Sequence, residues 1–209
     1  MTKGAFLMGK IKISAENIQK IRDGLEKYNF IMEMKENLSD EDFQRKFTGF
    51  YRVRRKEEWR RAFFKEFKIF SSEKADFETI LKSLWKNKYI KKMEASFASK
   101  MLHTICDQNP IWDSIVVNYQ LGIKTPVKKQ NATVADEEKR FAQIVEIYKR
   151  ICKGYDLLIE SEMGSTIIKY FDENFGSPKI SKTKKIDFIL WAAGKENKIL
   201  SEENLKLFD

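Results

Sequence analysis

Apolar residues recur at intervals of three and four along most of this chain, which is the period of an α-helix. Ile18, Ile21, Leu25 and Tyr28 share one face behind Ser14, a residue suited to accept from the free N–H groups of a helix start. Ser39 with Asp42 makes a capping-box-like start to a short helix carrying Phe43 and Phe47. Trp59, Phe63, Phe67 and Phe70 follow on a helix from about Lys56, and Phe77, Ile80, Leu81 and Leu84 on one from 73 to 85. After "KNKYIKKM" comes a helix holding Lys100, then a break at Asn109-Pro110, then a helix from about Asp113 to Leu121. Phe141, Ile144, Ile147, Tyr148, Ile151 and Tyr155 mark a long helix over 135–160, Met163 to Phe175 another, and Ile186, Ile189, Leu190 and Trp191 a last one. Strand-like alternation is confined to "KIKIS". Nine glycines and three prolines leave few places for sheet turns, and no glycine occurs between Gly49 and Gly122. The expected fold class is all-α.

The 209 residues suffice for one domain whose core needs no staples. The loop "IKTPVKKQNATV" (123–134) is the candidate boundary between two lobes of that domain. Cys106 and Cys152 lie inside apolar helical patterns and read as reduced core residues. Two separated cysteines and one histidine argue against a structural zinc or an iron–sulfur cluster, so neither metal nor cofactor is expected. No apolar run approaches the roughly 18 to 20 residues of a membrane span, and "MTKGAFLMGK" is too short for a secretory signal. A cytoplasmic monomer is the expectation.

The net charge is +9, and its distribution is uneven. From Gln44 to Phe70 there are ten Lys or Arg against three Glu, interleaved with Phe47, Phe50, Tyr51, Trp59, Phe63, Phe64, Phe67 and Phe70. Cations beside rings are the usual combination for nucleic acid, phosphate contacts with stacking or wedging. The same pattern describes an amphipathic helix with core aromatics and a solvated charged face.

The most informative stretch is "ASFASKMLHTICDQNPIWDSIV", 95 to 116. Pro110 stops the first helix, Ile111 and Trp112 make a short apolar connector, and Asp113 falls at the N-cap or first turn of the next. Two roles are open to it: a cap for backbone N–H groups, or a carboxylate that stabilises a cationic transition state and orients water. Lysine on a helix is ordinarily solvated. Lys100, however, lies among Phe97, Met101, Leu102 and Ile105, with small Ser96, Ala98 and Ser99 before it, a setting in which an amine can act as nucleophile. His103 on such a helix reads most simply as a satisfied core residue.

Small residues, a helix beginning around a lysine, a short loop and then "IWDSIV" resemble the centre of the helix-hairpin-helix DNA glycosylases, which include endonuclease III and the 8-oxoguanine glycosylases. Ser96-Phe97-Ala98-Ser99-Lys100 falls on the hairpin and catalytic-lysine motif, and Ile111 to Val116 on the aspartate motif. "GFYRVRRKEEWR" and "KKIDFILW" are similar to a bacterial branch of 8-oxoguanine-glycosylase-like proteins. Ser96 and Ala98 stand where the family has glycine, and only 13 positions separate Lys100 from Asp113, so the implied hairpin is a degenerate one.

The resemblance implies a two-lobed helical fold with a central cleft and a reaction on double-stranded DNA. A base is flipped out and its N-glycosidic bond is cut, in repair or in defence against phage with modified DNA. Asp113 would offset the sugar cation, and Lys100 would add a lyase step if its amine reaches C1′. Trp112 and His103 are the candidate base-pocket residues. Ser96, Ser99, Arg52, Arg54, Arg55, Arg60, Arg61, Lys182, Lys184 and Lys185 are the candidate DNA contacts. The alternative is a helical nucleic-acid-binding module without catalysis, in which Asp113 is only a cap.

Overall fold

The structure, a computed structural model, describes residues 11–73, 75–195 and 197–209. The opening "MTKGAFLMGK" lies outside the described residues, as does the start of "KIKIS". All regular elements among the described residues are helical. They are α1 (Ala15–Glu33), α2 (Glu41–Phe50), α3 (Glu57–Glu73), α4 (Phe77–Lys86), α5 (Ala95–Ile105), a π-helical turn (Val116–Gln120), α6 (Val134–Glu160), α7 (Glu162–Phe175), α8 (Lys182–Ala193), α9 (Glu202–Leu205) and a closing 3-10 turn (Lys206–Phe208). No helix among them is long and apolar enough to cross a membrane.

Local chemistry sets most of the helix ends. The Ser14 hydroxyl accepts from Asn17 N at 3.2 Å, as the sequence suggests. In α2 the cap is Asp40 rather than Ser39: its carboxylate accepts from Phe43 N at 2.9 Å, and a carboxylate there also gains from the helix dipole. Asp76 likewise starts α4 at Phe77, a few residues after the expected 73. Thr133 and Asp136 form a reciprocal capping box on α6, and Lys129 and Thr133 together hold the Asp136 carboxyl well below the usual carboxylate range. Ser161 and Ser181 cap α7 and α8.

The chain divides into two compact units, Lys20–Cys106 and Met1–Gln19 with Asp107–Asp209. The 123–134 connection, expected as the lobe boundary, lies inside the second of these. The chain passes between the units within α1 and at Cys106–Asp107 instead.

The core of unit 20–106 is aromatic. Phe43, Phe47, Phe63 and Phe67 are at most 1% exposed, and Phe47 makes ring contacts with Phe63, Phe64 and Phe67 at 5.6–5.9 Å. Edge-to-face pairs of this kind add about 0.5–1.5 kcal/mol each beyond the area they bury. The rings of the 44–70 stretch are therefore mostly core, while Arg52, Arg54, Arg55, Arg60 and Arg61 are exposed. The bland half of the sequence reading holds for the rings.

In the other unit, α6, α7 and α8 pack on one another. Gly154 lets the Phe208 ring lie against α6, since a Cβ there would fall 2.1 Å from it. The buried Gln120 amide donates to Gly194 O at 2.6 Å and Asn197 O at 2.9 Å, and its oxygen accepts from Ile199 N, so the chain after α8 is held by one side chain.

The cysteines depart from expectation. Cys106 is exposed just past the end of α5, and Cys152 is half-buried on α6, where burial pushes its thiol up to about 11. Because the thiolate is the reactive species, Cys106 should be alkylated by iodoacetamide at pH 8 at least about tenfold faster than Cys152. Mass spectrometry of time points checks this, and equal rates would refute it.

Candidate active site

Asp113 is placed by the segment before it. After α5 ends, Pro110, Ile111 and Trp112 are buried, and three side chains bind the carbonyls of the connector. Ser181 donates to Asp107 O at 2.6 Å, Thr183 to Gln108 O at 3.1 Å, and Tyr148 to Pro110 O at 2.9 Å. These donors come from α6 and the start of α8, so the connector is pinned from two elements. Pinning of this sort fixes a functional side chain more closely than loop packing alone.

The carboxylate then caps the next helix. Asp113 Oδ1 accepts from Ile115 N at 2.8 Å and from Val116 N at 3.4 Å, and Asp113 O accepts from Val117 N at 2.8 Å. The turn widens at once: Leu121 N bonds to Val116 O five residues back, the π-helical spacing. Wide turns of this kind occur frequently at functional sites. Oδ2 makes no hydrogen bond or ion pair among the described residues, and the side chain is only half-buried. One oxygen is used structurally and the other has no partner among the described residues.

A buried polar cluster accompanies it in the same unit. Lys184 Nζ donates to Asp187 Oδ2 at 2.7 Å, with the two side chains 3% and 7% exposed. The Lys184 ammonium also lies over the Phe188 ring at 4.4 Å. Tyr155, on α6, is buried, and its hydroxyl has no hydrogen-bond partner among the described residues. Burial first, then the charges of Asp187 and Asp113, push its phenol well above the ordinary range.

Lys100 belongs to the other unit and is 8% exposed, not solvated. Its Nζ lies 5.1 Å from the Phe97 ring centroid and 5.5 Å from that of Tyr51. His103, 0% exposed, shares a 2.9 Å hydrogen bond with the Tyr28 hydroxyl, the satisfied core histidine of the simplest reading. The helix begins at Ala95, so Ser96 to Lys100 are helical and form no hairpin turn. The turn between α4 and α5 spans 87–94 instead, with Lys91 at a positive φ of 51°. A glycine is not required at Ser96 or Ala98, because neither takes a left-handed conformation.

Several candidate DNA contacts change character. Ser99 is fully buried, and its hydroxyl donates to Ser96 O, a core placement rather than a phosphate contact. Ser96 is partly buried in the first turn of α5. Lys184 is interior, and Lys185 is committed to Asp172 at 2.7 Å, which leaves Lys182 as the exposed lysine of the three. Trp112 is 6% exposed and packs in the core. The residues that pin the connector before Asp113, namely Tyr148, Ser181 and Thr183, and those of the buried cluster, Tyr155 and Asp187, carry no clear sequence signal of their placement. Only "KKID" hints at one, with an i,i+3 charge pair inside an apolar helix.

No group of three or more His, Cys, Asp or Glu among the described residues could hold a metal ion. No protein-family model, curated protein or solved structure matches the chain.

Proposed function

We propose that the chain is a DNA N-glycosylase with Asp113 as its catalytic carboxylate. The observation that carries this is the division of that carboxylate: Oδ1 is fixed by two backbone amides while Oδ2 has no partner among the described residues. Breaking an N-glycosidic bond leaves positive charge on the sugar, and a preorganised carboxylate stabilises that charge without having to reorganise. Water, oriented by the same oxygen, adds to C1′ and the base departs. The finer architecture implied by the resemblance, a two-lobed fold with a central cleft, is part of this proposal; a hairpin at Ser96 to Lys100 is not, because those residues are helical.

Other features support it. The exposed Arg52, Arg54 and Arg60 supply phosphate partners on one stretch of chain, while Arg55 and Arg61 are paired with Glu94 and Glu57. Lys100 is an interior lysine beside two rings, contacts that its amine has to leave before it can attack a sugar. We therefore assign base release without a lyase step. Whether the reaction serves repair or defence against phage is set by the base removed.

The test is incubation of the protein with a panel of lesion-bearing and phage-modified duplexes, followed by alkali to break abasic sites. Strand breaks on at least one duplex, with no borohydride-trapped protein–DNA adduct, are expected. Binding without breaks on every duplex would establish the alternative, a helical binding module in which Asp113 is a cap. An adduct lost in Lys100→Gln would show that the lysine does attack.

A further inference from the structure

We propose a second nucleic-acid site, on unit 20–106, that takes a single strand by stacking on Tyr89. It does not rest on the reading of Asp113. Along α3 and the turn before α5 lie two adjoining hollows of about 390 and 270 Å³, with Glu58 and Tyr89 in the lining of both. Each is near the lower end of the range for small-ligand sites, about 300–1,000 Å³. Tyr89, between them, is 54% exposed.

The ring is exposed on a backbone that is held firmly. Asn87 Oδ1 accepts from Tyr89 N at 3.0 Å, Asn87 O accepts from Ile90 N and Lys91 N, and the Asn87 amide donates to Glu66 at 2.9 Å. Ile90 and Met93 are buried just beyond it. A rigid, solvent-facing tyrosine gives a stacking surface at low entropic cost.

Most of the acids around it are engaged, Glu58 excepted, which makes no ion pair among the described residues. Arg55 is bound to Glu94 through two contacts, Arg61 to Glu57, and Glu66 accepts from Ser83 and Asn87. Lys56, Lys65, Lys88 and Lys92, which line the hollows, make no ion pair among the described residues. Lys88 lies over the Tyr89 ring at 4.8 Å. Trp59 lines the smaller hollow.

Ammonium groups on both sides of an exposed ring match a base with its flanking phosphates. Two hollows meeting at one ring match consecutive nucleotides. The base must be unstacked to meet Tyr89, which selects single strand over duplex.

Fluorescence anisotropy of the full chain with a labelled oligothymidylate, its duplex and thymidine monophosphate tests this. The single strand should bind more tightly than the monophosphate, with affinity falling by about 0.7 log unit per log unit of salt for each phosphate contacted. Tyr89→Ala should weaken binding about tenfold or more, while Tyr89→Phe keeps it. Lys56→Ser with Lys92→Ser should flatten the salt dependence. The substituted side chains are exposed, and unchanged melting curves would show that the variants fold. Unchanged single-strand affinity in Tyr89→Ala, or a duplex affinity that falls as much in that variant as the single strand's, would overturn the proposal. Equal affinity for the free nucleotide would overturn the assignment to a strand. None of these readouts involves base release, so their failure leaves the reading of Asp113 untouched, and failure of that reading leaves them standing.

Discussion

Asp113→Asn should leave the protein folded and DNA-binding while base release falls by on the order of 10²–10³-fold or more. Asparagine is about as good an N-cap as aspartate, so the amide oxygen can still accept from Ile115 N and Val116 N. The three donors that pin the connector act on backbone carbonyls and are indifferent to the change. What is lost is the charge at Oδ2. Single-turnover assays with alkali cleavage read the activity, and thermal melts read the fold. A variant as active as the parent would remove Asp113 from catalysis and leave it a cap.

The second large effect is on stability. Asp187→Leu should cost about 3–5 kcal/mol, because it leaves the Lys184 ammonium in the interior without its carboxylate. Lys184→Met alone should be similarly damaging, since it leaves a buried carboxylate. The double variant should recover most of the loss, because two apolar side chains of similar volume replace a pair whose desolvation offsets much of its attraction. Urea denaturation of the four proteins gives the coupling directly. Additive losses would mean that the two side chains do not depend on each other. Tyr155 adds a second readout: its phenol is pushed up in part by Asp187, so removing that carboxylate should lower its titration midpoint. Spectrophotometric titration of Tyr155, compared with a Tyr155→Phe control, follows it. An unmoved midpoint would contradict the placement of the two groups.

The two predictions bear on one arrangement. Two of the three donors that hold the Asp113 connector, Ser181 and Thr183, come from the start of α8, the helix that carries Lys184 and Asp187. Activity measured in the double variant therefore asks whether the buried pair matters only for stability or also for aiming Asp113. Base release retained at the parental rate would confine the pair to a structural role.

Helices, their apolar faces and most of their ends are local properties. The 3.6-residue period and the capping residues Ser14, Thr133, Ser161 and Ser181 act within one turn of chain, so the all-α class and the position of Asp113 at a helix start were legible before any fold. Choosing Asp40 over Ser39, or starting α4 after Asp76, turns on a shift of one to a few residues, below what periodicity resolves. Burial of single polar side chains is different in kind. Lys100, Lys184 and Lys185 look alike in sequence, each on a helix with mixed neighbours. Their fates, two interior and one bound to Asp172, were decided by elements distant in sequence: Tyr51 lies far before Lys100, and Tyr155 and Asp172 come from α6 and α7. The same holds for the pinned connector and for Tyr89, left outside by a turn whose neighbours go in. A helix dictates which residues share a face. Only the packing of other elements against it decides which face meets water.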